Sequence, residues 1–60
     1  PLWTPETMFA AVRAFHAQRG RWPSPDDFRR ARAHDLPGRW AVNQHFGSPA
    51  QLLWAVRREG

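Results

Sequence analysis

The chain has 60 residues, of which 42% are hydrophobic and 23% charged, values typical of a folded protein rather than a disordered one. A domain of this size buries only about 60% of the surface that its unfolded chain exposes, which leaves little room for a deep catalytic pocket beside the core. The absence of cysteine excludes disulfide bonds and cysteine-ligated zinc, and no apolar run approaches the roughly 20 residues of a membrane span. Nine arginines and no lysine against five acidic residues give a net charge of +4.

Helix starts are marked three times by a hydroxyl residue followed by proline, at Thr4-Pro5, Ser24-Pro25 and Ser48-Pro49. The hydroxyl can cap free backbone N–H groups, and proline fits the first helical position because its missing N–H is not needed there. Asp27 and Gln51 are placed to complete capping boxes. These signals predict four helices, over residues 5–19, 25–33, 39–45 and 49–58.

Apolar residues recur at helical spacing in all four segments, and no window alternates for long enough to predict a strand. We therefore expect an all-α fold, a compact three- to four-helix domain with a helix-turn-helix-like arrangement. Trp22 and Trp3 are expected at the edge of its core, which is predicted to contain Met8, Phe9, Val12, Phe15, Phe28, Ala31, Leu36, Val42, Phe46, Leu52, Leu53 and Val56.

The segment 39–45 has an unusual outward side. At 100° per residue, Val42 and Phe46 share one face, while Trp40 and Gln44 point away from it and Asn43 lies on the flank. The opposite phase would bury Trp40 together with Gln44. We prefer the first phase, which exposes an aromatic ring and two amides where a solvated helix usually carries lysine and glutamate.

Catalysis has little support in this sequence. Both serines have capping roles, and there is no cysteine, lysine or tyrosine. His16, His34 and His45 are too far apart in sequence to form a helical metal pair. Asp26 is explained by pairing with Arg30 at i,i+4. We expect no enzyme activity from this chain alone, and no metal or other cofactor.

The positive charge predicts attraction to a polyanion: nucleic acid first, then an anionic membrane surface, then an acidic protein. Arginine suits bidentate contacts with phosphate or guanine, although GC-rich coding also explains the missing lysine. A solvated basic surface on a small helical domain is the plain alternative.

DNA recognition is predicted for the segment 39–45, as the second helix of a helix-turn-helix. Arg39 matches guanine O6 and N7, and the amides of Asn43 and Gln44 match adenine N6 and N7. Trp40 and His45 lie on the same helix. The remaining candidate residues are expected to hold phosphate, and they are Arg21, Ser24 and Arg30, with Arg19 and Arg29 adding to the field.

A second class of function is a protein-interaction module that uses Trp40 and Trp54 as exposed anchors. Trp54 lies off the stripe formed by Leu52, Leu53 and Val56, so we expect it at the surface. Binding to double-stranded DNA and binding to a protein partner therefore both remain open on the residues alone.

The chain resembles the homing endonuclease-associated repeat from Trp3 to about Val56. The matching residues are Trp3-Thr4, Glu6, Ala11, Arg13, Phe15, Gly20-Arg21, Pro23-Ser24, Asp27-Phe28, Ala31, Leu36-Pro37, Val42, Phe46-Gly47-Ser48 and Leu53. It departs from that pattern at Pro49, where the family usually has tryptophan, and at residues 43–45, which are often arginine-rich in the family. The spacing of Trp3, Trp22 and Trp40 gives a weaker resemblance to Myb/SANT repeats.

The resemblance implies a helical DNA-binding accessory unit that helps a larger, mostly bacterial or phage, protein to find its target. A fused nuclease domain of the HNH type or tandem copies of the repeat are the implied neighbours. Because the first residue is Pro1 and not methionine, we expect a module processed or cut from a longer protein. We expect it to be monomeric and cytoplasmic, associated with the nucleoid through DNA and not with a membrane.

Overall fold

A computed structural model describes residues 3–59, and no strand occurs in this part of the chain. The all-α class is therefore confirmed. The helices are α1 (Pro5–Arg19), α2 (Pro25–Arg29), α3 (Ala31–His34), α4 (Arg39–Phe46) and α5 (Pro49–Glu59). The expected single domain covers residues 1–60, of which 1, 2 and 60 lie outside the described residues.

The side-chain hydroxyl caps expected at α1 and α5 are observed, whereas the Ser24 hydroxyl makes no cap hydrogen bond at α2 and donates to Asp27 Oδ2 instead. At α1 the cap is reciprocal, because Thr7 N–H donates to Thr4 Oγ1 at 3.2 Å and Thr4 N–H donates to Thr7 Oγ1 at 2.8 Å. At α5, Gln51 N–H donates to Ser48 Oγ at 3.2 Å. Gly20 ends α1 at φ 72°, a left-handed conformation that glycine adopts without steric cost.

The prediction of one continuous helix over residues 25–33 is wrong, because the helix is broken at Arg30 into α2 and α3. Arg30 has φ −106° and ψ 38°, and its N–H donates to the Asp27 carbonyl at 3.1 Å, three residues back rather than four. A straight helix would place Asp27 and His34 about 10.5 Å apart along its axis. The break instead brings His34 Nε2 to 3.5 Å from Asp27 Oδ1.

One apolar core lies between the helices, and α5 packs against α1, α2 and α4. Its buried members are Met8, Val12, Phe15, Phe28, Leu36, Val42, Leu52 and Val56. Residues packed around it and only partly buried are Trp3, Phe9, Trp22, Ala31, Ala41, Phe46 and Leu53. Phe46 was expected inside and lies instead at the edge, where its ring stacks on Phe9 with centroids 5.7 Å apart.

The packing of the core determines which face of α4 is buried, but it does not show whether the helices form a helix-turn-helix. Val42 is fully buried, and the helix packs chiefly on α5. A helix-turn-helix would instead depend on contacts between α4 and the preceding helices, so that finer arrangement remains a prediction. None of the helices in residues 3–59 combines the length and the hydropathy that crossing a bilayer requires.

Candidate functional site

The outward face of α4 carries polar and aromatic side chains, as the preferred phase predicts. Trp40 is 76% exposed although it is one of the largest apolar side chains in the chain. The α4 outer face consists of the exposed residues Arg39, Trp40, Asn43, Gln44 and His45. The opposite phase, with Trp40 buried, is wrong.

The two amides of this face have no internal task. No side-chain hydrogen bond within residues 3–59 involves Asn43 or Gln44. Each amide carries two N–H donors and a carbonyl acceptor that remain available to a ligand. Residues four apart are neighbours on the α4 outer face, so that Arg39 and Asn43 form one row along the helix and Trp40 and Gln44 form a second.

An open groove adjoins the start of α4, and four arginines line it. We call it the arginine groove, and its lining residues are Phe28, Arg29, Arg30, Ala31, Arg32, Ala33, Gly38 and Arg39. Arg30 and Arg39 were candidates from the sequence, whereas Arg32 was not. In the sequence, Arg32 is marked only by its place in the basic run 29–32. The structure brings this run beside Arg39 through the connection formed by residues 35–38.

Most of the groove's charge is not neutralised by the chain itself. Arg30 Nε lies 3.8 Å from Asp26 Oδ2, which confirms the expected i,i+4 pair, but both side chains are largely exposed and such pairs contribute little. No carboxylate of residues 3–59 lies within ion-pair distance of Arg29, Arg32 or Arg39. The groove therefore concentrates positive charge.

Arg21 and Ser24, expected as a phosphate anchor, have an internal partner. Arg21 donates to both carboxylate oxygens of Asp27, at 2.8 and 3.3 Å. Ser24 donates to Asp27 Oδ2 through its N–H at 2.8 Å and through its hydroxyl at 3.0 Å. These three residues and His34 are here called the Asp27 cluster.

The hydrogen bonds from Arg21, followed by that from the Ser24 backbone, hold the pKa of Asp27 well below its usual range. The same contact raises the pKa of Arg21. Asp27 is only 6% exposed, so its charge is compensated inside the fold. The cluster therefore stabilises the start of α2, and its arginine is engaged with a carboxylate.

The other histidine-containing contacts are structural. His16 is partly buried and stacks on Trp22 with ring centroids 4.0 Å apart. His34 meets the Phe15 ring edge-on at 5.8 Å. Within residues 3–59, no three side chains of the metal-binding types converge on one point.

A second exposed aromatic lies on α5. Trp54 is 60% exposed, and Arg58 lies over its ring at 4.9 Å. It shares a shallow surface with Ala50, Leu53, Arg57 and Arg58, a set at helical spacing that includes no residue of α4. The sequence predicted Trp54 as a surface residue but did not identify the two arginines beside it.

In comparisons with known proteins, the chain matches no family model, no curated protein and no solved structure. The similarity to the homing endonuclease-associated repeat therefore stays a prediction from the residues that carry it.

Proposed function

We propose that this chain is a double-stranded DNA-binding module whose α4 outer face enters the major groove. The observation that carries the proposal is the composition of that face. It presents an arginine, an indole ring and two amides without internal partners, beside a groove lined by four arginines. A helix that only solubilised the domain would not need to expose Trp40.

The size and spacing of the face suit base recognition. An α-helix with its side chains is about 10–12 Å across, and the major groove is about 12 Å wide. Residues four apart on a helix are separated by about 6 Å along its axis. Arg39 and Asn43 can therefore address bases about two steps apart, Arg39 at guanine O6 and N7 and Asn43 at adenine N6 and N7.

The net charge of +4 supports attraction to a phosphate backbone. If three or all four of the groove arginines contact phosphates, the logarithm of the binding constant should fall against the logarithm of salt concentration with a slope of about −3 to −4. The longer protein implied by the sequence resemblance, a nuclease or another DNA-acting protein with further repeats, is part of the same proposal.

A binding-site selection on the purified domain tests whether α4 reads sequence. We expect wild type to enrich a motif and Asn43→Ala/Gln44→Ala to lose it, because a good bidentate amide–base pair discriminates by about 1–3 kcal/mol. The matched control is Gln18→Ala/Gln51→Ala, which removes two exposed amides from α1 and α5. If wild type enriches nothing, or both double variants enrich the same motif equally, α4 is not a reading helix.

The exposure of Trp54 favours a second candidate, a protein-interaction module. Trp40→Ala and Trp54→Ala distinguish the two, since each removes one exposed indole from a different helix. Under the DNA proposal only Trp40→Ala lowers the affinity for duplex. An absence of duplex binding at low salt would favour the protein-interaction reading instead.

A further inference from the structure

The arginine groove has a distinctive lining. Its four arginines come from α2, from the break at Arg30, from α3 and from the first residue of α4. The other lining residues are small or apolar, namely Phe28, Ala31, Ala33 and Gly38. An open surface that carries four arginines together with small and apolar residues fits an anion that also has a hydrophobic part.

Gly38 in this groove is the N-cap of α4, a position that threonine fills about as well as glycine. Its φ is −66° and its ψ is 159°, values that any residue adopts. Apart from its chain neighbours, a Cβ added there would meet no atom of residues 3–59 within 4 Å. Gly47, by contrast, has a φ of 92° that favours glycine. One use of a glycine that neither backbone nor packing requires is to let a ligand approach the main chain closely.

We infer that the arginine groove holds a stretch of the sugar-phosphate backbone, with guanidinium groups on phosphate oxygens and deoxyribose over Ala31 and Ala33. The inference rests on the proposed function and names the site that positions α4. Guanidinium groups bind phosphate bidentately, and contacts of this kind fix the register of a protein on the duplex. Arg39 belongs to both surfaces, so the groove and the α4 outer face would contact the same DNA segment.

This assignment replaces Arg21 and Ser24 as the phosphate contact. A phosphate at Arg21 would have to compete with the Asp27 carboxylate, which already holds both ends of that guanidinium. Arg29 and Arg32 meet no such competitor within residues 3–59.

The first test compares two double variants with equal loss of charge. Arg29→Gln/Arg32→Gln removes two groove charges, and Arg13→Gln/Arg57→Gln removes one charge from α1 and one from α5, where the side chains lie over Phe9 and Trp22. We expect the groove variant to flatten the salt slope of duplex binding by about 2 and the control to leave it nearly unchanged. Equal effects of the two variants would overturn the inference.

Gly38→Thr tests the close approach itself. Threonine and glycine are similar as helix N-caps, so the melting temperature should stay near that of wild type. The added side chain should lower duplex affinity at least about tenfold if the backbone passes over Gly38. Wild-type affinity in a folded Gly38→Thr variant would show that nothing approaches there.

An NMR titration of the ¹⁵N-labelled domain with linear polyphosphate separates this inference from the proposed function. We expect the amides of residues 29–33 and 38–39 to shift in wild type and not in the groove variant. If they shift but no DNA motif is selected, the groove binds phosphate and α4 does not read sequence. If a motif is selected while the groove variant behaves like its control, the groove inference is wrong and the DNA proposal stands. Absence of both signals overturns both.

Discussion

The Asp27 cluster and the arginine groove use the same residue type in opposite ways. Arg21 and Arg32 are eleven positions apart, and the sequence predicted a phosphate contact for Arg21 but no role for Arg32. Arg21 is held by a buried carboxylate at 2.8 Å, whereas Arg32 has no carboxylate partner within residues 3–59. The number of basic residues in a small domain therefore overstates the charge that it can offer to a ligand.

Phe28 joins the two regions, and its loss should have the largest effect. The ring is 1% exposed, follows Asp27 directly and also lines the groove. Phe28→Ala should cost about 3–5 kcal/mol, a large part of the roughly 3–9 kcal/mol expected for a domain of this size. Urea unfolding followed by circular dichroism measures it. Phe46→Ala, at the half-buried edge of the core, should cost clearly less, and equal losses would contradict the packing described.

Asp27→Ala should lower the stability of the domain without lowering its affinity for duplex DNA, because the Asp27 cluster supports the fold and the arginine groove is the proposed DNA contact. It removes the acceptor of four hydrogen bonds, and we expect a loss of about 1–3 kcal/mol in the free energy of unfolding. Asp26→Ala is the matched control, because its exposed pair with Arg30 should be worth less than about 1 kcal/mol. Duplex affinity, measured on the folded fraction, should not fall in either variant. A fall confined to Asp27→Ala would tie the cluster to binding.

Acid should weaken the Asp27 cluster selectively. The folded-state pKa of Asp27 lies below its unfolded value of about 3.9, so its stabilising contribution is complete above that value and is lost as the pH falls below it. Wild type should therefore lose its stability advantage over Asp27→Asn between pH 5 and the most acidic pH at which it stays folded. Urea midpoints of both proteins across this range measure the difference. A gap that stays constant would show that Asp27 titrates normally.

Arg21→Gln and Arg32→Gln should give the smallest effects and the sharpest contrast. Each removes one positive charge. Arg21→Gln should lower the melting temperature and leave the salt slope of duplex binding unchanged, because its partner is Asp27. Arg32→Gln should change stability by less than about 0.5 kcal/mol and flatten the slope by about one. Thermal melts measure the change in stability, and duplex affinities at several salt concentrations measure the slope. A flattened slope in Arg21→Gln would support the phosphate contact first expected of Arg21.

Much of the fold could be predicted because its signals are local. A hydroxyl residue before proline fixes where α1, α2 and α5 begin, and the spacing of Val42 and Phe46 fixes which side of α4 faces out. The break at Arg30 had no such signal, since neither glycine nor proline stands there. It is accompanied by a contact between His34 and the buried Asp27 carboxylate, which no local signal marks.

The candidate site was predictable only where it lies on one helix. Asn43 and Gln44 follow from the phase of α4 alone. The arginine groove does not, because it joins Arg29 and Arg32 to Arg39 across a turn that periodicity does not describe. The partner of Arg21 was missed for the same reason, since the contact runs across the loop at residues 22–24.

The distribution of the four tryptophans decides what the intrinsic fluorescence of this domain reports. Trp40 and Trp54 are exposed, so their indoles emit at long wavelength even in the folded state. Trp3 and Trp22 are partly buried, and Trp22 stacks on His16. Unfolding should therefore shift the emission only through Trp3 and Trp22. A ligand that covers α4 should change the emission of Trp40, so that a single-tryptophan protein retaining only Trp40 would record occupancy rather than folding.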